Sequence, residues 1–143
     1  MNKKYNVGYT TGVFDLFHIG HLNILRRAKE QCEYLIVGVS TDELVWEYKH
    51  KTPVIPFAER IAIVNAIKYV DKAVPQNSQD KVAAYKRDSF NAVFVGDDWK
   101  GTDKWQKLES QFEKYGVDVV YFPYTKNTSS TLLTLTLKEI VGK

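Results

Sequence analysis

Seven residues, Tyr34 to Ser40, run almost without a break in apolar character, and this stretch limits the fold more than any other. An apolar strand that does not alternate is covered on both faces, as in a parallel sheet sandwiched between helices. Segments of strand and helix character alternate on either side of it. Tyr5 to Thr11 has the β-branched and aromatic content of a strand, and Leu22, Leu25 and Ala28 then recur at helical spacing. Pro56 suits the first turn of a helix whose face carries Phe57, Ile61 and Val64. Tyr69 to Val74 reads as a strand, Gln79 to about Arg87 as a helix, and Ala92 to Val95 as a buried strand. Trp105, Leu108, Phe112 and Tyr115 then line one helix face, with Gly116 as its stop. Val117 to Phe122 is a fifth strand, and a last helix from near Ser129 is expected to bury Leu133, Leu137, Ile140 and Val141.

This order predicts an α/β fold: a Rossmann-like open parallel sheet of about five strands with helices on both faces. A chain of 143 residues makes one domain, 1–143, and at this size it buries about 70% of its unfolded surface. Thr41 to Pro56 is polar, contains Pro53 and Pro56, and reads as a long loop of the kind that carries function. The single cysteine, Cys32, falls in the helical pattern beside Ala28 and is read as a buried thiol in a reducing compartment.

The net charge of +3 is a weak basic bias, suited to an anionic small molecule. It is too small for nucleic acid, and the short basic stretch Tyr48-Lys49-His50-Lys51 lacks the extent of a nucleic-acid stripe. Neither a signal peptide nor a run of about 18 apolar residues is visible. A cytoplasmic protein with no membrane partner is the expectation.

In open parallel sheets, ligands bind beyond the C-terminal ends of the strands. The first strand ends at Gly12, and the run Gly12-Val13-Phe14-Asp15-Leu16-Phe17-His18-Ile19-Gly20-His21 leads into the first helix. Such a junction offers unpaired N–H groups to an anion, and imidazoles three residues apart face the same side. Taken alone, His18 and His21 read better as plain helix-start residues. Zinc is a poor alternative, because no cysteine or third histidine completes a tetrahedral set.

The string itself resembles the nucleotidylyltransferase superfamily, whose members carry His-x-Gly-His after a Gly-x-Phe-Asp turn. Further blocks follow in order: Ser40-Thr41-Asp42-Glu43, Lys68-Tyr69-Val70-Asp71, Gly96-Asp97-Asp98-Trp99 and Tyr124 to Thr131. Together they resemble the glycerol-3-phosphate cytidylyltransferase family; ethanolaminephosphate cytidylyltransferases share much of the set. The resemblance implies a transferase joining CTP to a small phosphorylated alcohol, most simply glycerol 3-phosphate, with Mg²⁺ or another divalent cation. It implies release of pyrophosphate, a CDP-glycerol product that feeds a surface polymer, and a homodimer. Other phosphorylated acceptors, ATP as donor, and a nucleotide-binding module without turnover are the alternatives.

By the same resemblance, Gly12, Val13, Phe14, Ile19 and Gly20 cradle the triphosphate, and His18 and His21 donate to it. Val13 stands where some members have threonine, so only its backbone acts. Lys51 acts on nucleotide phosphate, and Lys49, Arg60 and Lys81 contact the acceptor, although by composition Lys49 and Lys51 are solvated charges and Arg60 is a helix arginine in an ion pair. A shift of one position would put Tyr48 and His50 in place of the two lysines. Gly96, Asp97, Asp98 and Trp99 line the nucleotide site. One of the two carboxylates caps the next helix as readily as it meets a base, ribose or metal, and Trp99 either packs in the core or flanks the base. Tyr124, Thr125, Ser129, Ser130 and Thr131 form a hydroxyl-rich turn that grips phosphates or simply caps the last helix. Tyr124 replaces an arginine of the glycerol-3-phosphate branch, and Lys68 replaces another.

Overall fold

The computed structural model describes residues 3–123 and 130–141. Its elements run β1 (Tyr5–Gly12), α1 (Ile19–Gln31), β2 (Cys32–Ser40), α2 (Asp42–Lys49), α3 (Phe57–Ala66), β3 (Lys72–Gln76), α4 (Lys81–Asp88), β4 (Ala92–Gly96), α5 (Asp103–Glu113), β5 (Asp118–Phe122) and α6 (Ser130–Val141). The five strands form one parallel sheet in the order β3-β2-β1-β4-β5, as the Rossmann-like expectation requires. The chain works outward from β1 in one direction and then, after β3, outward in the other. A crevice therefore opens between the C-terminal ends of β1 and β4.

Two apolar layers cover the sheet, and period-two alternation in the strands assigns side chains to each. Leu35, Val37 and Val39 of β2 and Ala92 and Phe94 of β4 face Leu25 and Ala28 of α1 and Val64 of α3. Ile36, Tyr9 and Val93 face the other way, onto Trp105, Leu108 and Phe112 of α5. Parallel stacking ties the layers to the strands: Tyr9 lies 4.6 Å from Phe90, and Phe94 lies 5.4 Å from Phe122, with 6° between ring planes in both pairs. Gly8 is required by packing. A Cβ there would collide with the Phe94 ring and sit 2.8 Å from Cys32 Sγ.

Several sequence expectations are corrected. Half of the supposed loop 41–56 is the helix α2: Thr41 Oγ1 accepts from Leu44 N at 3.2 Å, Asp42 and Glu43 occupy the first turn, and Leu44 and Val45 are buried. Cys32 is buried as expected, but it opens β2 instead of continuing α1. The third strand begins three residues later than its apolar pattern suggested and ends two later. Pro75 is tolerated inside it because β3 is an edge strand pairing only with β2. Tyr115 lies beyond the end of α5, 4.9 Å from Tyr85. In α6, Leu137, Ile140 and Val141 are exposed where burial was expected, Val141 at 81%. Helical periodicity found the apolar residues but could not say whether a partner surface lay in the same chain.

Candidate active site

β1 delivers the chain to the crevice at Gly12, and a tight turn reverses it into α1. The turn places two non-glycine residues, Phe14 (φ 56°) and Leu16 (φ 50°), in the left-handed region. Such positions cost free energy and persist only where packing enforces them. Here Phe14 is buried, with its ring 5.4 Å from His21 and 6.3 Å from Phe17.

The two histidines cap α1 reciprocally. His18 is the N-cap, and its Nδ1 accepts from Gly20 N at 3.0 Å, while His21 Nδ1 accepts from His18 N at 3.2 Å. This is the geometry of a capping box, with imidazoles in place of the usual hydroxyl and carboxylate. A nitrogen that accepts carries no proton, so each neutral ring holds its proton on Nε2. The rings lie 4.0 Å apart. Burial, then the neighbouring His18, pulls His21 down to about 4 against the pull of Asp15, and burial lowers His18 as well. At neutral pH the pair is uncharged and supplies N–H donors of fixed direction.

Behind this turn lies a polar hub. The Arg60 side chain is fully buried, and four of its five N–H donors are engaged by protein oxygens. Nε donates to Ile55 O at 2.8 Å, Nη1 to Val13 O at 2.8 Å and Ser40 O at 2.7 Å, and Nη2 to Asp42 Oδ1 at 2.6 Å. Expected among the acceptor contacts, Arg60 instead joins the histidine turn, the end of β2, the start of α2 and the segment after it. Asp15 completes the hub, its carboxylate accepting from Val54 N at 2.8 Å and Ile55 N at 2.9 Å.

Lys49 and Lys51 flank His50, the left-handed residue (φ 53°) that ends α2, and both are exposed. Partial burial and the charge of Lys51 lower the Lys49 ammonium, and Asp15 opposes them, so all three groups lie within electrostatic reach. The Asp15 bonds to Val54 N and Ile55 N hold the segment that follows Lys51 against the histidine turn.

Across the crevice, β4 ends at Gly96, and Asp97–Trp99 form one 3₁₀ turn. Thr102 caps α5, accepting from Trp105 N at 3.4 Å, so neither carboxylate is needed as a cap. Asp98 folds back until its Oδ1 would sit 2.7 Å from a Cβ on Gly96. Trp99 is 47% exposed, which removes it from the core. Lys81, at the start of α4, is buried with its ammonium 5.4 Å above the Trp105 ring. Burial, then Lys104, brings it down to about 8. It lies on the opposite face of the sheet from α1. Tyr124, Thr125 and Ser129 lie outside the described residues. Ser130 and Thr131 open α6.

Sequence reasoning missed the clamp made by Asp15 and the hub role of Arg60. Its signal for Asp15 was the acidic residue in Gly-Val-Phe-Asp, three positions before His18.

Residues 9–137 match the cytidylyltransferase-like family model. The chain belongs to the cytidylyltransferase-like family. It is 38% identical to the glycerol-3-phosphate cytidylyltransferase of Bacillus subtilis, over 93% of this chain and 95% of the relative. It is 35% identical to the enzyme of the same name from Staphylococcus aureus, over 94% of both chains. Among solved structures it is similar to a lipopolysaccharide core biosynthesis protein of Thermoplasma volcanium, with a TM-score of 0.70 and 26% identity, covering 87% of this chain and 99% of that one.

Proposed function

We propose that this protein transfers CMP from CTP to glycerol 3-phosphate, giving CDP-glycerol and pyrophosphate. An oxygen of the acceptor phosphate attacks the α-phosphorus in line, a new P–O bond forms, and the bond to the bridging oxygen of the β-phosphate breaks. Pyrophosphate leaves with that electron pair. No covalent enzyme intermediate is required, so the protein's work is positioning and charge stabilisation. The observation that carries this reading is the histidine capping box, which aims two neutral Nε2–H donors from the strand-to-helix turn. Donors of fixed direction stabilise the charge that builds on the equatorial oxygens without reorganising.

Lys51 neutralises nucleotide phosphate, and Lys49 and Lys81 hold the acceptor. Gly96 to Trp99 meet the nucleoside, and the turn Tyr124 to Thr131 receives the leaving pyrophosphate. Among the described residues no group of three His, Cys, Asp or Glu stands together as a metal cage. A divalent cation would enter on the triphosphate and keep several of its own waters. The ion adds charge neutralisation there. Use of CTP supports a cytoplasmic location and a supply of CDP-glycerol to a surface polymer.

We also propose a homodimer, supported by the exposed apolar side chains of α6, Leu135, Leu137, Ile140 and Val141. Sedimentation equilibrium should give twice the 16.5 kDa chain mass, and a monomer at micromolar concentration would refute it. For the activity, the test is pyrophosphate release with each nucleoside triphosphate against glycerol 3-phosphate, phosphoethanolamine and sugar-alcohol phosphates. CTP with glycerol 3-phosphate should give the highest kcat/KM. A higher value for another pair would replace the substrate, and tight CTP binding without release in any pair would indicate a regulatory module.

A further inference from the structure

His18 stands three positions after Asp15, and Val54 stands three positions after Lys51. A carboxylate that accepts from both Val54 N and Ile55 N therefore ties the neutral histidine arm and the cationic lysine arm of the site at equal short distances along the chain. Three residues reach at most about 10 Å, so fixing these amides bounds where Lys51 can go. Pro53, buried between them, stiffens the link through its fixed φ. Arg60 holds the same segment from below through Ile55 O and holds the histidine turn through Val13 O. Asp42, bonded to Arg60, also accepts from Phe57 N at 3.3 Å, closing the segment's far end.

We propose that Asp15 is a positioning residue that clamps the lysine-bearing segment to the histidine turn, with Arg60 as the anchor beneath. Its carboxylate touches no substrate; it acts through Lys51 and Lys49. This role rests on the proposed nucleotidyl transfer for its catalytic consequence, and on geometry alone for the clamp. Catalytic groups that depend on orientation lose about 10²-fold in rate for a displacement of about 1 Å, so a loosened lysine arm is a large defect without any lost charge.

Two readouts test it on the full-length protein. The first is amide hydrogen exchange. In Asp15→Ala the amides of Val54 and Ile55 should exchange at least about 10-fold faster, while those of β1 and β4 keep their protection. Asp15→Asn retains one accepting oxygen and should fall between, which covers the case in which the alanine variant folds poorly. Unchanged exchange at Val54 and Ile55 in both variants would overturn the clamp.

The second readout is a double-mutant cycle on kcat/KM with Lys51→Ala. Asp15→Ala should cost about 10-fold or more in the wild-type background and less than about 3-fold once Lys51 is absent, because nothing remains for it to position. An equal cost in both backgrounds would show that Asp15 acts independently of the lysine and would overturn the proposal. If the wild-type protein fails to turn over CTP and glycerol 3-phosphate, the proposed reaction falls while the exchange result still decides the clamp.

Discussion

At the scale of single residues, the site depends on what each imidazole nitrogen is doing. Because Nδ1 of His18 and of His21 is taken by a backbone N–H, protonating either ring there would break the cap of α1. His21 falls to about 4 from 6.5, mainly through burial. Between those values the unfolded chain binds a proton that the folded chain does not. Stability contributed by the neutral ring is therefore complete above pH 6.5 and is lost as the pH drops through the window towards 4. The expected outcome is an imidazole NMR titration for His21 with a midpoint near 4, accompanied by acid destabilisation that His21→Asn removes. A midpoint near 6.5 would mean that the ring titrates as in free peptide and that burial does not hold it neutral. The histidines themselves were legible in the sequence. Their mutual capping was not, because Nδ1 contacts depend on ring orientation, which no spacing rule specifies.

Secondary elements were read well wherever burial on one or both faces leaves a pattern in the chain. β1, β2, β4, α1 and α5 fall close to their expected places for this reason. α2 was missed because four of its eight residues are charged and its polar flanks resemble a loop, although Thr41 followed by two acidic residues is a helix-start signature. That cap is testable. Thr41→Ala should lower stability by about 1 kcal/mol in denaturant unfolding through loss of the Leu44 contact. Because Arg60 and Asp42 tie α2 to the crevice, the same variant should raise KM for CTP more than it lowers kcat. A variant that loses neither stability nor affinity would detach α2 from the site.

For the molecule as a whole, the strand order puts the histidine turn and the end of β4 beside one crevice, and this convergence was foreseeable from an alternating chain with motifs at strand ends. What escaped the sequence is the hub behind it. Arg60, Asp42 and Asp15 contact backbone carbonyls and amides, and such partners have no residue identity to read. Resemblance alone would have placed Arg60 on the substrate; burial puts it in the scaffold.

The central claim is attack by the acceptor phosphate on the α-phosphorus of CTP, and oxygen labelling tests it most directly. With glycerol 3-phosphate carrying ¹⁸O in all its phosphate oxygens, ³¹P NMR and mass spectrometry should find every label in CDP-glycerol, including the new bridge, and none in pyrophosphate. Label in the released phosphate, or CTP consumed without a labelled diphosphate bridge, would contradict it.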